Sequence, residues 1–256
     1  MFFVHPAAVQ DGNEVPLLRC ILQPDGPSGG GPYAMMDQLY TGRLLVDCGP
    51  GVLGRLRERE GWPHVDAIAI THFHLDHWGD LVPWVWGAMY RAAGVAIDER
   101  PELWVHAGGR SVLETFGERF GFRDMFDRVF TVREYEPEGS FTAAGVELIP
   151  MRLPHYTLET YGFRLGVDGR TIAYSGDSGP SERLADLARD SDLFVCEATL
   201  DHGDDDGQPR GHLSADEALE AAEASGTRRV LLTHRPAELA VPRGIERAHD
   251  GLELEL

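Results

Sequence analysis

Short apolar runs rich in β-branched residues recur along the whole chain, and each gives way to a turn or to helical spacing. "GRLLVDCGPG" predicts a strand ending at Asp47 in a glycine turn, and "VLGRLRERE" a helix stopped at Gly61. "AIAITHFH" predicts the next strand, "LVPWVWGAMYRAAG" has helical spacing, and "ELWVHAGG" is again a strand. One or two short helices are expected over 111–128. "VELIPMRLPH", "YGFRLGV" and "RTIAYSGD" follow as three consecutive strands, and "SERLADLARD" as a helix. The chain then alternates: "DLFVCEAT" is a strand, "SADEALEAAEASG" a helix opened by a capping box of Ser214 and Glu217, and "RRVLLTH" a strand. Strand-rich stretches interleaved with helices in both halves imply layered α/β architecture with stacked sheets, not a single all-parallel sheet.

The 256 residues suffice for one full core, and no stretch resembles a linker, so a single domain over 1–256 is expected. The opening "MFFVHPAAVQDGNEVP" lacks the basic start of a secretory signal and no segment has the length of a membrane span, which predicts a cytoplasmic protein. Cys20, Cys48 and Cys196 are widely spaced and odd in number, and they read as buried small hydrophobes. All 23 basic residues are arginine, which excludes Schiff-base and P-loop lysine chemistry. A net charge of −19 repels a polyanion at long range and makes nucleic acid a disfavoured substrate. "QPDGPSGGGP" at 23–32 reads as a flexible turn and "DHGDDDG" at 201–207 as a solvated loop.

Chemistry concentrates where strands end. "THFHLDH" places His72, His74, Asp76 and His77 within six positions, directly behind an apolar run. His155, Asp177, Glu197 and His234 each close another such run. Imidazole and carboxylate are ligands of zinc and its divalent neighbours, and strand ends deliver them to one edge of a sheet. On an extended segment His72, His74 and Asp76 share one side while Phe73 and Leu75 turn towards the core, and a helix after them would bring His77 round.

"THFHLDH" followed in order by "LPH", "SGD" and "LLTH" resembles the metallo-β-lactamase superfamily over about residues 40–235. The resemblance implies a four-layer αβ/βα sandwich with a dinuclear metal centre at one edge. It assigns His72, His74 and His155 to one metal, Asp76, His77 and His234 to the second, and Asp177 as the bridge. Zinc is the expected metal, with manganese or iron open on ligand type. Two divalent ions about 3.5–4 Å apart imply hydrolysis by metal-bound hydroxide.

"CEAT" at 196–199, "GHLS" at 211–214, "DCGPG" and "YGFRL" resemble the phosphodiesterase and ribonuclease Z branch, in which a glutamate and histidine pair handles the leaving-group proton. Here that pair is Glu197 and His212, so the expected catalytic residues are Asp76, Glu197 and His212. The inserted arm that grips tRNA is not evident between Asp177 and Glu197, so a small phosphodiester is expected and tRNA is not. A homodimer is left open. Arg210 is a candidate phosphate contact, though an exposed loop arginine is the commoner case, and Trp78, Trp84, Trp86 and Tyr90 are candidates for the mouth of the site, although at their spacing some must be core. The competing readings are a lactonase or thioesterase on the same fold and a metal-binding interaction protein without catalysis. "SGDSGP", with Ser178, has a serine-protease cadence but none of that fold's accompanying features.

Overall fold

The computed structural model of the chain describes residues 2–5, 8–10, 13–15, 19–22, 43–60, 62–90, 100–249 and 252–256. The turn expected at 23–32, the helix stop at Gly61, the helical tail at 91–94 and the side chain of Cys20 lie outside the described residues. Two seven-stranded sheets carry the molecule. The first runs Leu252–Glu255, Arg19–Leu22, Phe2–His5, Leu44–Val46, Ala67–Ala69, Glu102–His106, Thr131–Tyr135. The second runs Glu246–Arg247, Val230–Thr233, Leu193–Glu197, Arg170–Tyr174, Leu158–Val167, Val146–His155, Phe141–Ala143.

Both sheets are mixed. Pairing in the first is parallel from Leu44–Val46 through Thr131–Tyr135, and in the second from Arg170–Tyr174 through Glu246–Arg247. The antiparallel part of the second sheet runs from Phe141–Ala143 through Arg170–Tyr174, and in its central hairpin His155 pairs with Leu158. Parallel strands need crossovers, and the helices Val52–Glu60, Gly109–Arg119 and Ala215–Ser225 supply them.

Residue alternation builds the layers. Leu44, Val46, Ala67 and Ala69 face Phe163, Ile172, Tyr174, Leu193 and Val195 across the space between the sheets. The intervening Leu45, Ile68 and Ile70 turn outward against Leu53, Leu81, Trp84 and Leu113, and Ala173, Phe194 and Cys196 turn outward against Leu184, Leu187 and Ala218. The order is therefore helix, sheet, sheet, helix. The four-layer sandwich expected from the sequence is the observed architecture.

Local boundaries differ at informative places. The helices expected over 111–128 reduce to Gly109–Arg119 followed by turns, and "SERLADLARD" is helical only over Arg183–Leu187. The helix after "AIAITHFH" begins at Leu75, with His74 as its N-cap. Asp76 therefore leaves the extended segment that His72 and His74 share, and Leu75 is 61% exposed instead of turned into the core. Trp78 and Trp84 are buried among the outer helices, so neither lines a mouth; Trp86 is half-buried and Tyr90 exposed, stacked at 5.8 Å. Among the described residues no helix is long and apolar enough to cross a membrane.

Phe163 is fully buried between the sheets against Tyr135 at 5.4 Å. Phe163→Ala should destabilise the protein by about 3–5 kcal/mol; urea unfolding of the variant, with an unchanged m-value, is the measurement.

Candidate metal centre

The ends of the parallel strands of both sheets meet at one edge of the sandwich. His72 and His74 lie just beyond Ala67–Ala69, His155 closes its strand, Asp177 follows Arg170–Tyr174, Glu197 closes its own, and His234 follows Val230–Thr233. Gly176, with φ of +58°, makes the turn that presents Asp177, and a Cβ there would lie 2.9 Å from the Tyr161 carbonyl oxygen. Gly49 permits an even closer approach. A Cβ there would fall 1.7 Å from the carbonyl oxygen of Asp76, so only glycine lets the "DCGPG" turn clasp the helix Leu75–Trp78, an embrace closed by the bond from Cys48 N–H to the His77 carbonyl (2.6 Å).

The candidate ligands fall into two sets that share Asp177. His72, His74, His155 and Asp177 each bring a donor atom within 4.8 Å of the others, and so do Asp76, His77, Asp177 and His234. The buried Asp177 carboxylate divides its oxygens between them. Oδ2 lies 4.0 Å from His72 Nε2 and 3.8 Å from His155 Nε2, whereas Oδ1 lies 3.3 Å from His77 Nε2 and 3.5 Å from His234 Nε2. His234 Nε2 is also 3.5 Å from Asp76 Oδ2.

Hydrogen bonds decide which ring nitrogen faces inward. His155 Nδ1 donates to the Gly211 carbonyl (2.6 Å), and His77 Nδ1 donates to Asp47 Oδ2 (2.8 Å). The Thr71 hydroxyl donates to Asp47 and sits 3.1 Å from His72 Nδ1, and the Thr199 hydroxyl is 2.8 Å from His234 Nδ1. In each case the outer nitrogen is engaged and the inner Nε2 is left as a lone pair, the arrangement that orients metal-binding histidines. His72 Nε2, His77 Nε2 and Asp177 Oδ1 are buried with no hydrogen-bond partner. His155 Nε2 lies only 2.9 Å from His74 Nδ1, a contact that needs a proton or a cation between two lone pairs. Buried polar atoms are normally satisfied. Three buried orphans and this pair of facing imidazole nitrogens fit a divalent metal centre.

The electrostatics agree. Burial drives His72 down to about 2, with His77 adding to the effect, and burial also lowers His74 and His155, so these rings are neutral donors. Burial acts downward on His77 too, but Asp177 and Asp47 outweigh it and raise its pKa. For Asp177, burial acts upward and is outweighed by His234 and His77, which hold the carboxylate ionised. The bond to His234 lowers Asp76. These anions call for positive charge among them.

Beside this centre stands the predicted pair. Glu197 is fully buried, and its carboxylate accepts from Ser178 N–H (2.9 Å), Thr199 N–H (3.1 Å), the Thr199 hydroxyl (2.9 Å) and His212 Nδ1 (3.0 Å). His212 Nδ1 is 3.9 Å from Asp177 Oδ2. Burial would lower His212, yet the hydrogen bond and charge of Glu197, followed by the charge of Asp177, raise it, which favours the imidazolium.

Other sequence readings change. Arg210 is a structural brace, its fork bidentate on Glu217 (2.7 and 2.8 Å) and on the His212 carbonyl (3.1 Å), and it is not poised for a phosphate. Ser178 is buried and donates its hydroxyl to the Gly179 carbonyl (2.7 Å), which disposes of a nucleophilic role. Asp47, Thr71 and Thr199 were not singled out as site residues from the sequence. The signal for Asp47 is present in the chain: a polar residue closing an apolar strand, as at His155 and Glu197. The acidic run at 201–207 is not merely solvated, since Asp206 accepts from the Gly211 and His212 amides (2.7 and 3.1 Å).

Residues 42–235 match the β-lactamase superfamily domain. An uncharacterized protein of Mycobacterium leprae is 34% identical over 221 residues, covering 84% of this chain and 74% of that protein. A ribonuclease Z of Archaeoglobus fulgidus is 24% identical over 253 residues, covering 78% of this chain and 80% of its own. The crystal structure of the metallo-β-lactamase fold protein YhfI from Bacillus subtilis superposes with a TM-score of 0.71 at 19% identity over the full length of both chains.

Asp47→Asn keeps the shape of the side chain but removes the charge that holds His77 by Nδ1. It should leave the fold intact and weaken metal binding by about 10–100-fold, as loss of a ligand's supporting partner does. Competition with a chromogenic chelator measures it.

Proposed function

Because this chain belongs to the β-lactamase superfamily, we propose that it is a hydrolase of small phosphodiesters working with two divalent metal ions, zinc by preference. His72, His74 and His155 would hold one ion, Asp76, His77 and His234 the other, and Asp177 both. Bound there, the ions supply Lewis acidity and bring the pKa of water near neutrality. The observation that carries the reading is the buried Glu197 hydrogen-bonded to His212 at 3.0 Å, beside the shared carboxylate.

A departing alkoxide needs a proton. His212 is placed to give it. With Nδ1 bound to Glu197, the deliverable proton is the one on Nε2, and the negative charge behind the ring keeps it protonated until the ester oxygen takes it. Glu197 itself is saturated by four donors besides the imidazole, counting Leu213 N–H at 3.2 Å, so it orients the ring and does not exchange protons with substrate. Asp76 lies on the more exposed side of the centre and contributes as a ligand facing the reacting groups.

Size and charge bound the substrate. Between Asp177 and Glu197 lies one short helix, Arg183–Leu187, and the chain's net charge is −19. Both features favour a small diester over tRNA. Bis-p-nitrophenyl phosphate should be cleaved and precursor tRNA should not; efficient tRNA trimming at physiological salt would overturn this, and preference for a lactone or thioester would point to that other chemistry. Elemental analysis of the purified protein should find close to two equivalents of transition metal, and chelation should abolish activity.

His212→Ala should retain metal and fold while losing roughly 10²–10⁴-fold in rate on an alkyl ester. The loss should shrink for p-nitrophenyl esters, whose leaving group departs without a proton. An equal fractional loss on both, measured as kcat/KM, would remove the acid role.

A further inference from the structure

Exposed apolar side chains gather at the metal centre. Among the described residues six large hydrophobic side chains are exposed, and three of them adjoin candidate ligands: Leu75 (61%) stands between His74 and Asp76, Tyr156 (39%) follows His155, and Leu158 (38%) pairs with His155 across the hairpin. A single exposed leucine needs no explanation. Apolar groups gathered around a few convergent polar ones are the ordinary composition of a ligand site. Arg210 and Arg235 do not compete for the role, because Glu217 takes up the first and the carbonyls of Ala198, Leu200 and Ala240 the second. Recognition of a substrate's arms, as distinct from its phosphate, is left to the apolar side chains.

Tyr156 is the aromatic member, and its ring is held in place. Its N–H donates to the Arg210 carbonyl (3.2 Å), and its φ is +49°, in the left-handed region that a bulky aromatic residue rarely enters. Such conformations persist where the surroundings over-determine them, commonly at functional sites. The ring is seated against Gly211, where a Cβ would lie 2.3 Å from ring carbon Cε2, so any larger residue at 211 would drive it out. From this seat it stands 4.9 Å from the His155 ring and 5.6 Å from the His212 ring, between ligand and acid at the surface of the site. A general acid works within about 3 Å of the oxygen it protonates. The first carbons of an alcohol leaving past His212 therefore come within reach of the Tyr156 ring.

We propose that Tyr156 is a specificity-determining residue, the ring against which the departing alcohol packs, and that the preferred diesters carry an aromatic group on that alcohol. This rests on the reading of the site as a diesterase with His212 as the acid. Offset or edge-on contact between two rings contributes beyond the area it buries, so the tyrosine discriminates an aromatic arm from a saturated arm of the same size. Leu75 and Leu158 supply apolar contact without that preference.

Methyl benzyl phosphate and methyl cyclohexylmethyl phosphate release primary alcohols of similar size that need the same proton, so the ratio of their rates isolates the ring. Measured as release of the larger alcohol, kcat/KM should favour the benzyl ester by about 2–10-fold. Tyr156→Leu should erase this preference, and Tyr156→Phe, which keeps the ring, should retain it. Benzylphosphonate and cyclohexylmethylphosphonate, which are not hydrolysed, should bind the purified protein with the same preference by calorimetry, again lost in Tyr156→Leu and kept in Tyr156→Phe. In the unaltered protein benzylphosphonate, but not its saturated analogue, should shift the Tyr156 ring protons by ring current, a readout that needs no variant. Equal affinity for the two phosphonates, a preference that survives Tyr156→Leu, or an unmoved Tyr156 ring would overturn the contact. Failure of the diesterase reading is separately visible: neither diester would then be cleaved, while the phosphonate preference and the ring-current shift would still establish Tyr156 as the contact.

Discussion

One buried carboxylate, Asp177, sets the terms for the rest of the site. An ionised carboxylate removed from water costs several kcal/mol unless opposite charge and hydrogen bonds compensate it. Here Oδ2 faces one group of imidazoles and Oδ1 another. The chain supplies compensation from two directions, and the surrounding geometry follows from that requirement: a left-handed glycine at 176 to present the carboxylate, and three strand ends to bring its imidazole partners.

The layered fold makes this possible because it places the ends of parallel strands from two sheets along one edge. The sheets bury alternate residues between them and against the outer helices, so the strands cannot slip by one residue without exchanging core for surface. Register is thereby fixed at the strand ends, where the ligands sit. Of the seven non-glycine residues that hold positive φ among the described residues, three, Asp47, Tyr156 and His234, lie at this edge. Each is held by contacts: Asp47 by Thr71, His77 and Tyr174; Tyr156 by the Arg210 carbonyl and by its ring against Gly211; His234 by Thr199.

Around the ligands lies a set of partners with a division of labour. Asp47 and Thr71 serve His77 and His72, and the Gly211 carbonyl serves His155. Thr199 joins His234 to Glu197, so the metal centre and the acid share one hydroxyl. Arginines near the site are spent internally: Arg210 on Glu217, and Arg235 on the carbonyls of Ala198, Leu200 and Ala240. On the proposed reading, charge developing during hydrolysis would fall to bound metal and to His212, not to a guanidinium fork.

Much of the centre was legible in the chain because its ligands are polar residues that abruptly end apolar runs, a pattern visible without coordinates. "THFHLDH", His155, Asp177, Glu197 and His234 stand out on that basis, and strand-rich stretches interleaved with helices point to the layered α/β class. What the sequence could not determine is who supports whom. Alternation misplaced Asp76 because the helix starts at Leu75, before the extended pattern reaches it. Trp78 and Trp84 read as a possible rim, but spacing alone does not say which face of a helix meets a sheet, and packing buries them. Asp206 lies in an acidic run whose solvated appearance hides one carboxylate turned back onto two amides. Arg210 became a brace only when Glu217 came within reach. Ligand identity is a local property of strand ends, written in residue type and order. Hydrogen-bond partnership between residues 30 to 127 positions apart, as from His77 and Tyr174 to Asp47, exists only once the sheets have stacked.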